Sequence, residues 1–202
     1  MCYFNSLVAP KGATITLSGT TKQLDPTNRP LQSGFSYHNW PIVKGSTENF
    51  TIENAHWELI APWVKTTQEV QVGREKFNTL NATAERLFES KLFKPAALNN
   101  RCLVLSSGFY EWRHYKPAGA IKEIAYPYFI TIKEQSLFYM AGIFQPWTDK
   151  ETGETMDTFS IVTTKANAFM EQIHNKKKRM PTILTETQAS DWLNPSLSES
   201  KI

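Results

Sequence analysis

The sequence predicts an α+β fold: a single domain with a mixed, mostly antiparallel, barrel-like sheet core and a few flanking helices. Three observations carry this. The segments CLVLS, GFYEW, YPYFITI, SLFYMAGIF and TFSIVTT follow one another between residues 101 and 163, and the last three are rich in β-branched and aromatic residues. Helix signals occur singly, with no regular βαβ alternation. A length of 202 residues suits one domain or two small ones.

Residues 9–55 carry Pro10, Pro26, Pro30 and Pro41 among many Asn, Thr, Ser and Gly, which reads as short strands and loops. The apolar stretch HWELIAPWV (56–64) is broken by Pro62. Asn81 to Ser90 reads as a helix, because Ala84, Leu87 and Phe88 share one face. A short helix is expected near Pro95, proline being favoured in a first turn. Residues 114–125 and 147–156 read as loops, and ANAFMEQIH (166–174) as a helix. Thr185-Glu-Thr-Gln188 forms a capping box before a final helix that ends ahead of Pro195. The domain is expected over residues 1–195, with a frayed tail over 196–202.

Composition narrows the function classes. The chain has 41% hydrophobic residues, enough for a substantial core, and a net charge of +3, which permits an anionic partner without predicting one. No apolar run reaches the ~18 residues of a membrane span, and the N-terminus has no secretory-signal pattern. Two cysteines, Cys2 and Cys102, give no disulfide framework. A cytosolic, reducing compartment is the default, and Cys102 in its apolar run reads as a buried small hydrophobe. CxxC, HExxH, Walker, GxGxxG and GxSxG patterns are absent, so no metal and no cofactor is expected.

Four places could carry chemistry. Cys2 follows the initiator methionine, and removal of Met1 would leave a 1,2-aminothiol. Such an amine titrates at about 7.7–8.0 and is partly neutral at physiological pH. It can condense with an aldehyde to an imine that the thiol closes to a thiazolidine, or act in acyl transfer. An incidental buried cysteine is the plainer reading of that one position. In SSGFYEWRHY (106–115), Phe109, Glu111 and Arg113 point one way on a strand, Tyr110 and Trp112 the other. If that face is buried, the Glu111 carboxyl has a raised pKa and suits general acid or base work; otherwise it faces solvent or pairs with Arg113. His174, in IHNKKKRMPTIL (173–184), can shuttle protons. The run Lys176-Lys177-Lys178-Arg179 is either a solvated loop or a phosphate-contacting one. Asn81 can cap a helix, present its amide to a site, or both.

In one order these segments resemble the SOS response-associated peptidase (SRAP) family, the abasic-site processing proteins. The matching stretches are MC (1–2), WELIAPW (57–63), NATAE (81–85), RCLVLSSGFYEW (101–112), PYFI (127–130), MAGIF (140–144), TFSIVTTKANAFMEQIH (158–174) and RMPTIL (179–184). The resemblance implies covalent capture of abasic sites in single-stranded DNA, a DNA–protein crosslink of the DNA damage response. Cys2 would be the nucleophile through its amine and thiol, Glu111 and His174 would transfer protons, and Asn81 would orient the reacting end. It further implies lyase-type and peptidase activity, including removal of the residue before Cys2. Trp57, Trp63 and Trp112 are candidate base-stacking surfaces, and Arg179 matches a position expected to meet phosphate.

Three departures accompany the match. Cys2-Tyr3-Phe4 replaces Cys-Gly-Arg, which makes the mouth of the site more apolar. Thr83 replaces an arginine. Asn175-Lys-Lys-Lys178 lengthens the spacer before Arg-Met-Pro, and the lysines would partly replace the lost arginines. A thiol peptidase or amidohydrolase with an N-terminal nucleophile is the alternative reading, and a non-enzymatic single-strand binder is a third. A bacterial cytosol or nucleoid location follows from the resemblance, and a monomer is the default.

Overall fold

The computed structural model describes residues 2–202 and bears out the α+β expectation. Strands β1 (Phe4–Ala9), β2 (Thr14–Leu17), β3 (Thr20–Gln23), β4 (Thr27–Ser33), β5 (Asn39–Gly45) and β6 (Phe50–Trp57) fill the N-terminal third. Helix α1 (Thr67–Arg74) precedes β7 (Asn81–Thr83), a 3₁₀ turn at Ala84–Arg86, and α2 (Phe93–Asn99). Then come β8 (Arg101–Ser106), β9 (Gly108–Tyr115), β10 (Ile124–Ile130), β11 (Phe138–Thr148) and β12 (Thr155–Lys165). The chain ends with α3 (Ala168–Ile173), β13 (Arg179–Pro181), β14 (Ile183–Leu184), α4 (Glu186–Leu193) and a 3₁₀ turn at Glu199–Lys201.

β12, β6, β5, β8 and β11 pair in sequence, and β11 returns to β12, closing a five-stranded barrel. Its pairings are antiparallel except for β12 against β6. Closure removes sheet edges, and β8 is buried along its whole length. At Ser107 the chain bends out of the barrel, and β9 enters a second sheet of order β10-β9-β1-β4. Two tryptophans seal the barrel wall. Trp40 Nε1 donates to the Leu105 carbonyl at 2.8 Å, and Trp57 Nε1 to the Leu80 carbonyl at 3.1 Å.

Arg101 lies buried under the helices. Its guanidinium donates to the carbonyls of Ala97 (2.8 Å) and Leu98 (3.0 Å) at the end of α2, and of Trp192 (2.7 Å) and Asn194 (2.5 Å) at the end of α4. Both sets are orphan carbonyls at helix C-termini, where a cation is favoured. One side chain therefore fastens both helices to β8.

Several expectations change. The helix foreseen at Asn81–Ser90 is a short strand followed by a 3₁₀ turn, because Asn81–Thr83 pairs in parallel with Ile161–Thr163 of β12. Asn81 therefore caps no helix. Helix α1, capped by Thr66 through the Glu69 N–H, had no counterpart in the sequence reading. Residues 114–125 begin as strand, β9 running to Tyr115. The capping box at Thr185 and Gln188 forms as expected. In the segment 196–202, Ile202 packs against the core, and Lys94 reaches Glu199 at 3.3 Å.

Gly142 sits at the centre of the barrel wall, where an added Cβ would lie 2.8 Å from both Cys102 Sγ and Val104 Cγ2. Gly142→Ala is expected to destabilise by about 1–3 kcal/mol through overpacking. A thermal melt several degrees below wild type checks this, and an unchanged melt would refute the packing argument.

Candidate active site

The site assembles where β1 and β9 run side by side. Phe4 pairs with Tyr110 and Asn5 with Phe109, so the same register places Tyr3 across from Glu111. Alternation along β9 holds as read from the sequence: Phe109 and Glu111 are buried, while Tyr110 and Trp112 lie on the opposite face and are half-buried. Aromatic rings flank Cys2 through its neighbours. Tyr3 meets Phe35 with centroids 4.8 Å apart, and Phe4 meets Trp112 edge-on at 4.7 Å. The side of the site next to Cys2 is lined by these rings.

Cys2 is fully buried. Burial pushes its thiol well above the ordinary range, the nearby Glu111 charge adds to this, and a hydrogen bond from the Phe4 N–H opposes it. The thiol therefore rests protonated and needs a base before it can attack as thiolate. Glu111 is buried too, and burial lifts its carboxyl from 4.5 to about 7. His174 Nδ1 lies 3.6 Å from Glu111 Oε2 and 2.8 Å from the Arg179 carbonyl. Nδ1–H donates to that carbonyl, which leaves the lone pair of the neutral ring on Nε2. Burial lowers the His174 pKa, and Lys177 also acts in that direction. Burial thus works against the charged form of both partners across this 3.6 Å approach.

His174 is held by a residue the sequence reading did not single out. Asn175 Oδ1 accepts from the His114 N–H at 3.0 Å, and its Nδ2 donates to the His114 carbonyl at 2.7 Å. These bonds fall where β1 has stopped and β9 would otherwise show an open edge, so the amide stands in for a strand neighbour. An asparagine after a histidine carries no pattern that announces this.

Asn81 lies at the same end of β12, whose Thr163 pairs with Thr83 on one side and Pro181 on the other. The Asn81 side chain is buried, with neither Nδ2 nor Oδ1 hydrogen-bonded among the described residues. Leaving a buried amide unsatisfied costs about 1–3 kcal/mol, which favours a role in meeting a ligand.

The remaining candidates are dispersed. Trp57 is 1% exposed and packs between Trp40 and Phe159. No base can stack on it, and that expectation is corrected: its ring fills the barrel. Trp63 is exposed and lines a cleft of about 480 Å³ with Phe77, Val70, Leu92 and Phe93. That cleft contains none of Cys2, Asn81, Glu111 and His174. Trp112 borders the site on the far face of β9. Arg179 is engaged by Glu85 at 2.8 and 2.9 Å and by the Thr163 carbonyl at 2.6 Å. Lys176 pairs with Glu123 at 2.5 Å and Lys178 with Glu171 at 3.6 Å, whereas Lys177 has no carboxylate partner among the described residues. Excision of Met1 concerns a residue outside those described. Among the described residues no group of three His, Cys, Asp or Glu side chains could hold a metal ion, and no helix is long and apolar enough to cross a membrane.

Fold and site together define a class: a barrel-based α+β domain with a buried cysteine, carboxyl and imidazole at its N-terminal strand. A solved structure of a protein from Bacteroides thetaiotaomicron shares the fold, with a TM-score of 0.82 and 34% identity over 99% of this chain and 84% of that one. A protein from Bordetella bronchiseptica, at 18% identity, has the same fold with a TM-score of 0.70 over 96% of this chain and 88% of its own. The profile of the SOS response associated peptidase (SRAP) family matches residues 8–202, and the chain belongs to that family. Cys2 lies just before the matched span. Abasic site processing protein YoqW of Bacillus subtilis is 36% identical over 154 residues, 76% of this chain and 62% of that protein. Abasic site processing protein HMCES of Pongo abelii is 30% identical over 161 residues, covering 68% of this chain and 44% of its own. The match thus spans less than two thirds of either relative.

The raised Glu111 pKa carries a sign that can be checked. The folded state holds this proton more tightly than the unfolded state, so the protein loses stability as pH rises from 4.5 through about 7. Glu111→Gln removes that loss. Its stability relative to wild type is expected to increase by up to about 3 kcal/mol between the acid and alkaline sides of this window. Urea unfolding on both sides reads the difference, and a constant offset would exclude burial as the cause of the shift.

Proposed function

We propose that this protein captures abasic sites in single-stranded DNA as a covalent thiazolidine on Cys2. The observation that supports this best is the placement of a buried carboxyl and a neutral imidazole 3.6 Å apart beside a buried cysteine at the start of the chain. Relatives named abasic site processing proteins supply the substrate class.

Removal of Met1 makes the Cys2 nitrogen the α-amine. The neutral amine adds to the aldehyde carbon of the ring-opened deoxyribose, forming a C–N bond and a carbinolamine. Glu111, with a pKa of about 7, is suited to protonate the hydroxyl that departs as water, leaving an iminium. The Cys2 thiol then adds to the same carbon, closing the ring as its proton passes to Glu111 or His174 Nε2. One aldehyde and one aminothiol give one thiazolidine and one water. A thiol that rests protonated suits this order, because the amine attacks first and the thiol second. Asn81 would orient the sugar with its unsatisfied amide. Peptidase action by Cys2, including self-cleavage of a preceding residue, uses the same groups and is the second reading.

Purified protein incubated with a single-stranded oligonucleotide bearing one abasic site is expected to give a shifted band on a denaturing gel, and Cys2→Ala to give none. Mass spectrometry should find a mature chain that starts at Cys2. No denaturation-resistant band with such a chain would sink the proposal; cleavage of peptide substrates instead would favour the peptidase reading.

The lysine run gives a separate expectation. Lys176 and Lys178 already face carboxylates, so replacing Lys176, Lys177 and Lys178 by Ala is expected to lower the salt slope of DNA binding by only about one to two. Affinity titrations across ionic strengths test this, and an unchanged slope would remove the loop from the DNA contact.

A further inference from the structure

Beyond the lysine loop and the tryptophans, one exposed surface continues directly from Glu111. β10 forms an edge of its sheet, and Ile124 to Phe129 are exposed throughout. Residues directly opposed in an antiparallel pair share a face. Tyr128 lies opposite Glu111, Tyr126 opposite Arg113, and Ile124 opposite Tyr115. The face that buries Glu111 near the barrel therefore emerges, farther along the hairpin, as Tyr128, Tyr126, Arg113, Tyr115 and Ile124. Tyr126 and Tyr128 are each 39% exposed, and Tyr115 is 53% exposed. Two residues apart on one strand, the two tyrosines stand about 7 Å from each other.

The surroundings are basic. Arg113, Lys116 and Lys122 are exposed on this hairpin, and its one exposed carboxylate, Glu123, is engaged by Lys176. Aromatic rings on an open sheet face, flanked by cations, are a recurrent means of holding single-stranded nucleic acid: each base stacks on a ring and the cations follow the phosphates. A second copy pairing along the β10 edge fits less well, because Pro127 in mid-strand removes an N–H from the edge.

We propose that the Glu111 face of the β9–β10 hairpin is a stacking platform for the bases next to the abasic nucleotide, with Tyr128 and Tyr126 as successive rings and Arg113 between them and the backbone. This rests on the reading of the site as one for single-stranded DNA, and it adds a path for the strand that leaves the site. The sugar would sit at Glu111, its neighbour would stack on Tyr128, and the next base would reach Tyr126.

Fluorescence anisotropy with an undamaged labelled oligothymidylate tests the platform independently of crosslinking. Tyr126→Ala combined with Tyr128→Ala is expected to weaken binding about tenfold or more. The double Phe variant should bind like wild type, and Val72→Ala, exposed on α1, should leave binding unchanged. Photocrosslinking with iodouracil-substituted DNA should label β10. Wild-type affinity in the double Ala variant overturns the proposal, as does a wild-type dimer, seen by sedimentation, that the same variant dissociates. Loss of affinity in that variant while wild type forms no denaturation-resistant band on abasic DNA supports the platform and rejects the covalent reading, so the two failures are distinguishable.

Discussion

The candidate site depends on one buried hydroxyl at the corner where the chain leaves the barrel. Ser106 Oγ lies 2.7 Å from Asn5 Oδ1 and accepts from the Gly108 N–H at 3.1 Å. Asn5 Oδ1 also receives the Ser6 N–H at 3.0 Å, and the Ser107 N–H donates to the Ser6 carbonyl at 2.8 Å. This network lies between β1 and the β8–β9 corner, so it sets the register that carries Cys2 toward Glu111. A slip of one residue would turn Glu111 to the other face of β9. The hydroxyl acts in a dry setting, where an unmatched polar atom is costly, and the register is correspondingly well specified.

Two buried carboxyls, Glu58 and Glu111, differ in whether a guanidinium faces them. Glu58 is gripped by Arg74, with Nη2 at 2.7 Å and Nε at 2.9 Å from Oε2, and the guanidinium also lies over the Tyr37 ring. A guanidinium keeps its charge, so Glu58 works as the anion of a structural pair. Glu111 faces an imidazole, which can give up its proton. Burial then works against the charged form of both groups, and a carboxyl with a pKa of about 7 is suited to exchange protons near neutrality. The contrast separates a carboxyl that holds structure from one suited to chemistry, although both are nearly inaccessible.

Much of the C-terminal half was legible in the sequence, because strands β8 to β12 announce themselves by dense β-branched and aromatic runs and α4 by its capping box. The alternation that buries Glu111 and leaves Trp112 on the opposite face was legible for the same reason. What failed was decided by distant partners. Asn81–Thr83 has a helical pattern after it, yet β12 claims it as a strand. Trp57 and Trp63 sit six residues apart in one aromatic segment; only the barrel decides that the first is core and the second surface. Arg179 looks like a ready cation until Glu85, 94 positions earlier, is brought against it. Helix α1 has a single buried residue, Val70, and so too little apolar periodicity to read.

These pairings change how a nucleic acid would be held. The sequence suggests a basic loop at 176–179, but the fold sets Glu123, Glu171 and Glu85 against three of its four cations. Exposed ion pairs are weak, about 0–1 kcal/mol each, so phosphate could still compete for these lysines, but each exchange would first break an existing contact. The cation that Glu85 holds is also tied to the Thr163 carbonyl and is the least available. With charge partly offset, the exposed rings next to Glu111 become the surface with the most to gain from a flexible strand. Stacking needs no charge and tolerates any base. Under the proposed function, contacts of that kind would suit an abasic sugar in any sequence context.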